Sequence, residues 1–159
     1  MSEAASLDDW MSAAVTSAEE LATVALGFDG ATFVGKRDTM PLNVKSAVVA
    51  LIGDTASVQL AFAATESGCQ QLARALLSME PDEDDLPEDD MVDAVSEVVN
   101  IMAGQVKRIV GGADSTMKMG LPLFVHGKFE GADDVETAIA DINIGPVSVI
   151  LLILKNQIV

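Results

Sequence analysis

Residues 89–112 read DDMVDAVSEVVNIMAGQVKRIVGG, and this stretch decides how the chain folds. On a wheel of 3.6 residues per turn, Val92, Val95, Val99, Met102, Ala103, Val106, Ile109 and Val110 fall within one arc, the pattern of a helix with one buried face. Acidic residues gather at its start, where the helix dipole favours them, and Gly111-Gly112 stops it, so a helix is expected from about Asp89 to Val110. Opposite the apolar arc lie Asp90, Asp93, Glu97, Asn100, Gly104 and Arg108, with Ile101 among them. Glu97 and Asn100, at i and i+3, point the same way and can act on one target.

Upstream, Trp10, Met11, Ala14, Ala18, Leu21, Ala22 and Ala25 recur at helical spacing, which predicts a first helix over Leu7–Leu26 with Gly27 as its stop. Val44–Ile52 and Ala56–Ala64 are β-branched or aliphatic runs around Gly53-Asp54-Thr55, the signature of a hairpin. Ser67 is the expected N-cap of a second helix from Gly68 to about Met79. The acidic run Glu80–Asp90, with two prolines, reads as a solvated linker, since the residue order and central Gly of a calcium-binding EF-hand loop are missing. Downstream, Leu123–His126, Thr137–Ile144 and Val147–Leu154 are expected strands, with Gly145-Pro146 as a turn. A faint repeat underlies this order. Val58–Phe62 matches Val149–Ile153, each downstream of a long helix, and Glu19-Glu-Leu-Ala22 lies over Glu97-Val-Val-Asn100, with Ala22 in place of the carboxamide.

Composition narrows the function. The 159 residues suit one domain spanning 1–159, and half of them are apolar, enough for a real core. A net charge of −16 opposes any surface that gathers nucleic-acid phosphates or rests on anionic lipid. The single cysteine, Cys69, and a start without a basic and apolar leader point to the cytoplasm. The longest apolar run, Ile144–Leu154, contains Gly145 and Pro146 and is too short to span a membrane. One His and one Cys provide neither a thiolate or histidine metal site nor a nucleophilic triad, and no phosphate-cradling glycine loop is present. If the chain is an enzyme, its catalysis must be spare.

The Glu97/Asn100 face has the features of such a site. Asn and Gly are poor residues for the middle of a helix, and Ile101 is apolar beside them. Gly104 lets a foreign backbone approach or serves a local packing adjustment; with Asp93 and Ile101 it makes the candidate docking surface.

Asp93, Glu97, Asn100 and Pro122, set in the stretch DAVSEVVNIMAG, resemble the pattern of the CheX/CheC family: Asp or Ser, Glu four residues on, Asn three further, Pro about twenty downstream. The likeness extends to LIGDTASVQL at 51–60 and ARALLSM at 73–79. The resemblance implies an α+β fold with a largely antiparallel sheet and two long helices side by side on one face. It implies a phosphatase acting on the aspartyl phosphate of a CheY-like chemotaxis response regulator, with Mg²⁺ held by the partner and no metal or cofactor on this chain. Relatives of the CheC type carry two such helices, whereas the CheX type carries one and pairs as a homodimer through its sheets; with one intact copy this chain resembles CheX. An acyl phosphate needs a water aligned with its leaving carboxylate more than a new nucleophile. Asn100 offers both a donor and an acceptor to orient that water, and Glu97 can pair with the lysine of the receiver domain. The alternative is a non-catalytic module of the same fold that binds a regulator, as flagellar-switch domains do.

Overall fold

The computed structural model describes residues 5–54, 56–110 and 117–157. Thr55 of the expected hairpin turn and the Gly111-Gly112 stop lie outside these described residues.

Helix α1, Leu7–Val24, begins as predicted, under a capping box in which Ser6 Oγ accepts from Asp9 N and Asp9 Oδ2 accepts from Ser6 N. That backbone hydrogen bond holds the Asp9 carboxyl below its ordinary value. Strand β1, Ala31–Arg37, is absent from the sequence expectations. It is half-exposed along its length and bulged between Phe33 and Gly35, so it shows no clean alternation. Strands β2, Lys45–Ile52, and β3, Ala56–Ala64, form the expected hairpin.

Helix α2 spans Glu66–Leu76, and its N-cap is Thr65 rather than Ser67. Thr65 directly follows β3 and its hydroxyl accepts from Gly68 N, so the helix starts as soon as the strand ends. It stops before Met79 because Ser78 takes φ 58°, with Met79 N bonded back to Arg74 O. This is the left-handed termination that glycine usually signals, made here by a serine. Helix α3, Glu88–Val110, follows the acidic linker. After it come β4, Lys118–Met119; β5, Leu123–Val125; β6, Glu136–Ile144; and β7, Val147–Gln157.

The seven strands form one sheet in the order β1-β6-β7-β3-β2-β4, with β5 also on the outer side of β2, and every pair is antiparallel. All three helices lie on one face, α1 over β6 and β7, α3 over β2 and β3, side by side. The faint repeat takes a definite form. Two helix-plus-three-strand units, α1-β1-β2-β3 and α3-β5-β6-β7, meet at the central β3–β7 pair, and each lays its first strand on the outside of the other's hairpin.

The main core joins the helices to the sheet through Leu21, Leu60, Phe62, Leu72, Met102, Ile142 and Leu151. A smaller cluster on the opposite face gathers Met40, Val44, Val48, Ile139, Ile150, Leu152 and Leu154, with Phe129 and Val135 against it. Strand β7 is therefore apolar at nearly every position because it is central and covered on both faces. Its composition carries no information about assembly. Among the described residues, no helix is long and apolar enough to cross a membrane.

Candidate functional site

Helix α3 has three neighbours, α1, α2 and the sheet, so its buried face is wider than one arc. Met91, Ala94 and Val98 join Val95, Val99, Met102, Ala103 and Val106 inside, whereas Ile109 is half-exposed, contrary to the wheel. At the surface, Asp93, Glu97, Asn100, Gly104 and Arg108 form a narrow stripe with steps of four, three, four and four residues. Asp93 and Glu97 are exposed, and Asn100 and Gly104 are half-buried. Glu97 and Asn100 are thus adjacent on one rigid, solvent-facing ridge. Among the described residues, no ion pair or side-chain hydrogen bond within the chain engages either of them, so both are at the disposal of a partner.

Two of the expected docking residues need qualification. Ile101 is not an exposed apolar contact: it is partly buried and packs on the main core, because it borders the inward face. Gly104 does not make room for a neighbour within the chain, since a Cβ there would meet only Met119 Sδ, at 3.9 Å. Its missing side chain leaves open space beside Asn100, as a foreign surface would require.

The α1 counterpart of the pair, Glu19 and Ala22, does not form a second surface site. Glu19 of α1 is exposed, but Ala22, the counterpart of Asn100, is completely buried in the core. A carboxamide there would lie inside the apolar core instead of facing a partner.

The N-terminus of α3 is held by a polar frame that has no linear signature. Buried Gln70 of α2 binds Leu86 twice, its Nε2 donating to Leu86 O at 3.0 Å and its Oε1 accepting from Leu86 N at 2.8 Å. Arg74 Nη1 meets Asp85 Oδ1 at 2.7 Å. Lys45 reaches Glu66 and, at 3.4 Å, Glu88, and the Glu66 carboxylate holds its ammonium above the ordinary lysine value. The acidic linker is therefore tied to α2 at its end, not merely solvated. Among the described residues, no three His, Cys, Asp or Glu side chains converge as a metal cage.

Pro122 stands between β4 and β5, along the edge that borders α3. Sequence reasoning passed over its neighbours Met119 and Leu121, which lie in short or irregular segments without periodicity.

The geometry matches known proteins. CheX from Vibrio vulnificus superposes with a TM-score of 0.75 at 17% identity, over 93% of this chain and 99% of that one. A CheX–CheY–BeF3–Mg²⁺ complex from Borrelia burgdorferi gives 0.72 at 15% identity, over 97% and 99%. The FliM middle domain of H. pylori shares the fold at 0.64 and 9% identity, over 94% of this chain and 92% of that one. No curated protein matches the chain in sequence. The family described as Chemotaxis phosphatase CheX matches residues 45–139, well over half of the chain and including Glu97, Asn100 and Pro122, and the chain belongs to that family.

Proposed function

We propose that this protein removes phosphate from the aspartyl phosphate of a CheY-like response regulator in the cytoplasm, with Asn100 aligning the attacking water and Glu97 pairing with the receiver lysine. The observation that carries this reading is the uncommitted Glu97/Asn100 pair on the exposed stripe of α3, beside the open space at Gly104. The solved CheX–CheY complex of a protein with the same fold supports the choice of partner. The leaving group is a carboxylate, so no general acid is required, and the chain supplies position instead of a nucleophile. The receiver holds Mg²⁺ on its own acidic residues, and this chain adds a donor and an acceptor in one rigid amide.

The test is phosphate loss from a phosphorylated receiver with and without the protein. Asn100→Ala should keep the fold and the affinity while lowering turnover about a hundredfold or more, the scale of removing one positioned hydrogen-bonding group from a transition state. Glu97→Lys should weaken association itself, and added salt should ease the defect. An Asn100→Ala protein as active as the parent would leave only the non-catalytic binding module, a role compatible with the shared FliM fold.

Pairing into a homodimer is part of the same proposal. Its support is the outer edge of β1, which among the described residues has a strand neighbour on its β6 side alone, and which exposes Phe33 and Val34. Light scattering at tens of micromolar should give twice the chain mass; a stable monomer would remove this part alone.

A further inference from the structure

The strand pair at the α3 edge of the sheet is irregular. Met119 stands opposite Leu51 and Phe124 opposite Ala47, so five steps along one strand answer four along the other. The extra residue falls in Gly120-Leu121-Pro122, a bulge pinned by Gly120 N donating to Ala50 O at 2.8 Å and by the fixed φ of proline. The bulge presents Leu121 at 91% exposure, although Phe124 and Met119 on either side of it pack against the main core.

Two contacts locate this bulge along the helix. Met119 Sδ lies 3.9 Å from where a Cβ on Gly104 would stand and His126 Nδ1 lies 3.6 Å from Glu88 Oε1, so residues 119–126 run antiparallel beside α3. Between those points the helix rises about 24 Å, and the strand, whose bulged residue adds no length, covers about 20 Å. The two advance together, which puts Leu121 level with the turn that carries Asn100. Leu123 is also exposed but is registered with Val48, on the sheet face away from the helices. Leu121 is therefore the exposed apolar group of the active edge, next to half-exposed Met119 and the gap at Gly104.

We infer that the 119–122 bulge is a recognition element for the receiver domain, with Leu121 as an apolar anchor that sets affinity for the partner on the Glu97/Asn100 ridge. This rests on the proposed receiver partner and adds a second kind of contact to it. The occupant is the receiver because the patch continues the ridge given to that partner. Its polar stripe carries Asp93 and Glu97, which suit the cation of a receiver, while Leu121 and Met119 offer apolar area to whatever surrounds that cation.

The test uses Leu121→Ser, with Leu121→Met as the conservative control, and a CheY-like receiver from the same genome. Calorimetry with receiver charged by beryllofluoride and Mg²⁺ should show Kd raised about tenfold for Leu121→Ser, as expected for losing one buried leucine. The shift should persist in high salt, unlike that of Glu97→Lys, and Leu121→Met should bind within about twofold of the parent. In turnover, KM should rise by the same factor with kcat unchanged, and the melting temperature should not move. A Leu121→Ser protein with the parent's Kd overturns the inference, as does one that loses only self-association, which would make a second copy the occupant. If the parent binds the receiver but spares its phosphate, hydrolysis falls and the Kd comparison still decides the role of Leu121. If the parent does not bind, both fall.

Discussion

Cys69 shows at the scale of one residue how burial sets chemistry. It is fully buried on the inward face of α2, its thiol points at Ala64 O, and burial pushes its pKa from 9.0 to about 12. The thiolate is the reactive form, so the native protein should resist thiol reagents at pH 8 and react only on unfolding. The same shift sets a sign for stability. Above pH 9 the unfolded chain loses this proton and the folded one keeps it, so stability falls as pH rises from about 9 to 12. Melting temperatures across that range, with Cys69→Ala as the comparison, check this: the variant should decline less steeply. Asn100 is the opposite case. Its type and spacing were legible in the sequence because a carboxamide on the polar face in mid-helix has no structural reason to be there. Leu121 was not legible, because nothing in a linear pattern marks a leucine that a bulge turns outward.

At the scale of elements, α3 is positioned by its ends as much as by its buried face. Met91, Val95, Val98, Val99 and Met102 fix its rotation, and that rotation is what turns Glu97 and Asn100 to solvent. Gln70 fixes its start by satisfying both backbone groups of Leu86, half-buried just ahead of the helix. Gln70→Ala leaves those groups without their partner and should cost about 1–2 kcal/mol, or a few degrees of melting temperature. Hydrogen exchange should quicken at Leu86 and the first turn of α3, and kcat should fall although no substrate is near. Unchanged melting and exchange would show that the apolar face suffices. The long helices, the hairpin and strands β6 and β7 were readable because their periods persist for eight residues or more. Strands β1 and β4 were not, the first bulged and half-exposed, the second two residues long. The cap of α2 was misplaced by two residues because Thr65 and Ser67 carry equivalent hydroxyls, and only the end of β3 chooses between them.

For the whole molecule, the central β3–β7 pair is sealed between two apolar clusters and joins the two units of the fold. The main core takes residues from both units, so neither buries its share alone. Unfolding should therefore be a single transition, followed equally by far-ultraviolet dichroism and by the fluorescence of Trp10, which is buried in the first unit. Two separated midpoints would mean that the units are independent. The exchange of first strands reaches further. The helix that bears Asn100 belongs to the second unit, but β4 and β5 beside it hang on β2, and its start is steadied by Lys45 of the first unit and by Gln70 of α2, the helix that follows that unit. The proposed site is held in joint tenancy: Glu97 and Asn100 lie on the second unit, and β2 and α2, earlier in the chain, help frame the helix that carries them. Changes in residues 45–52 can therefore silence the protein without touching anything it binds.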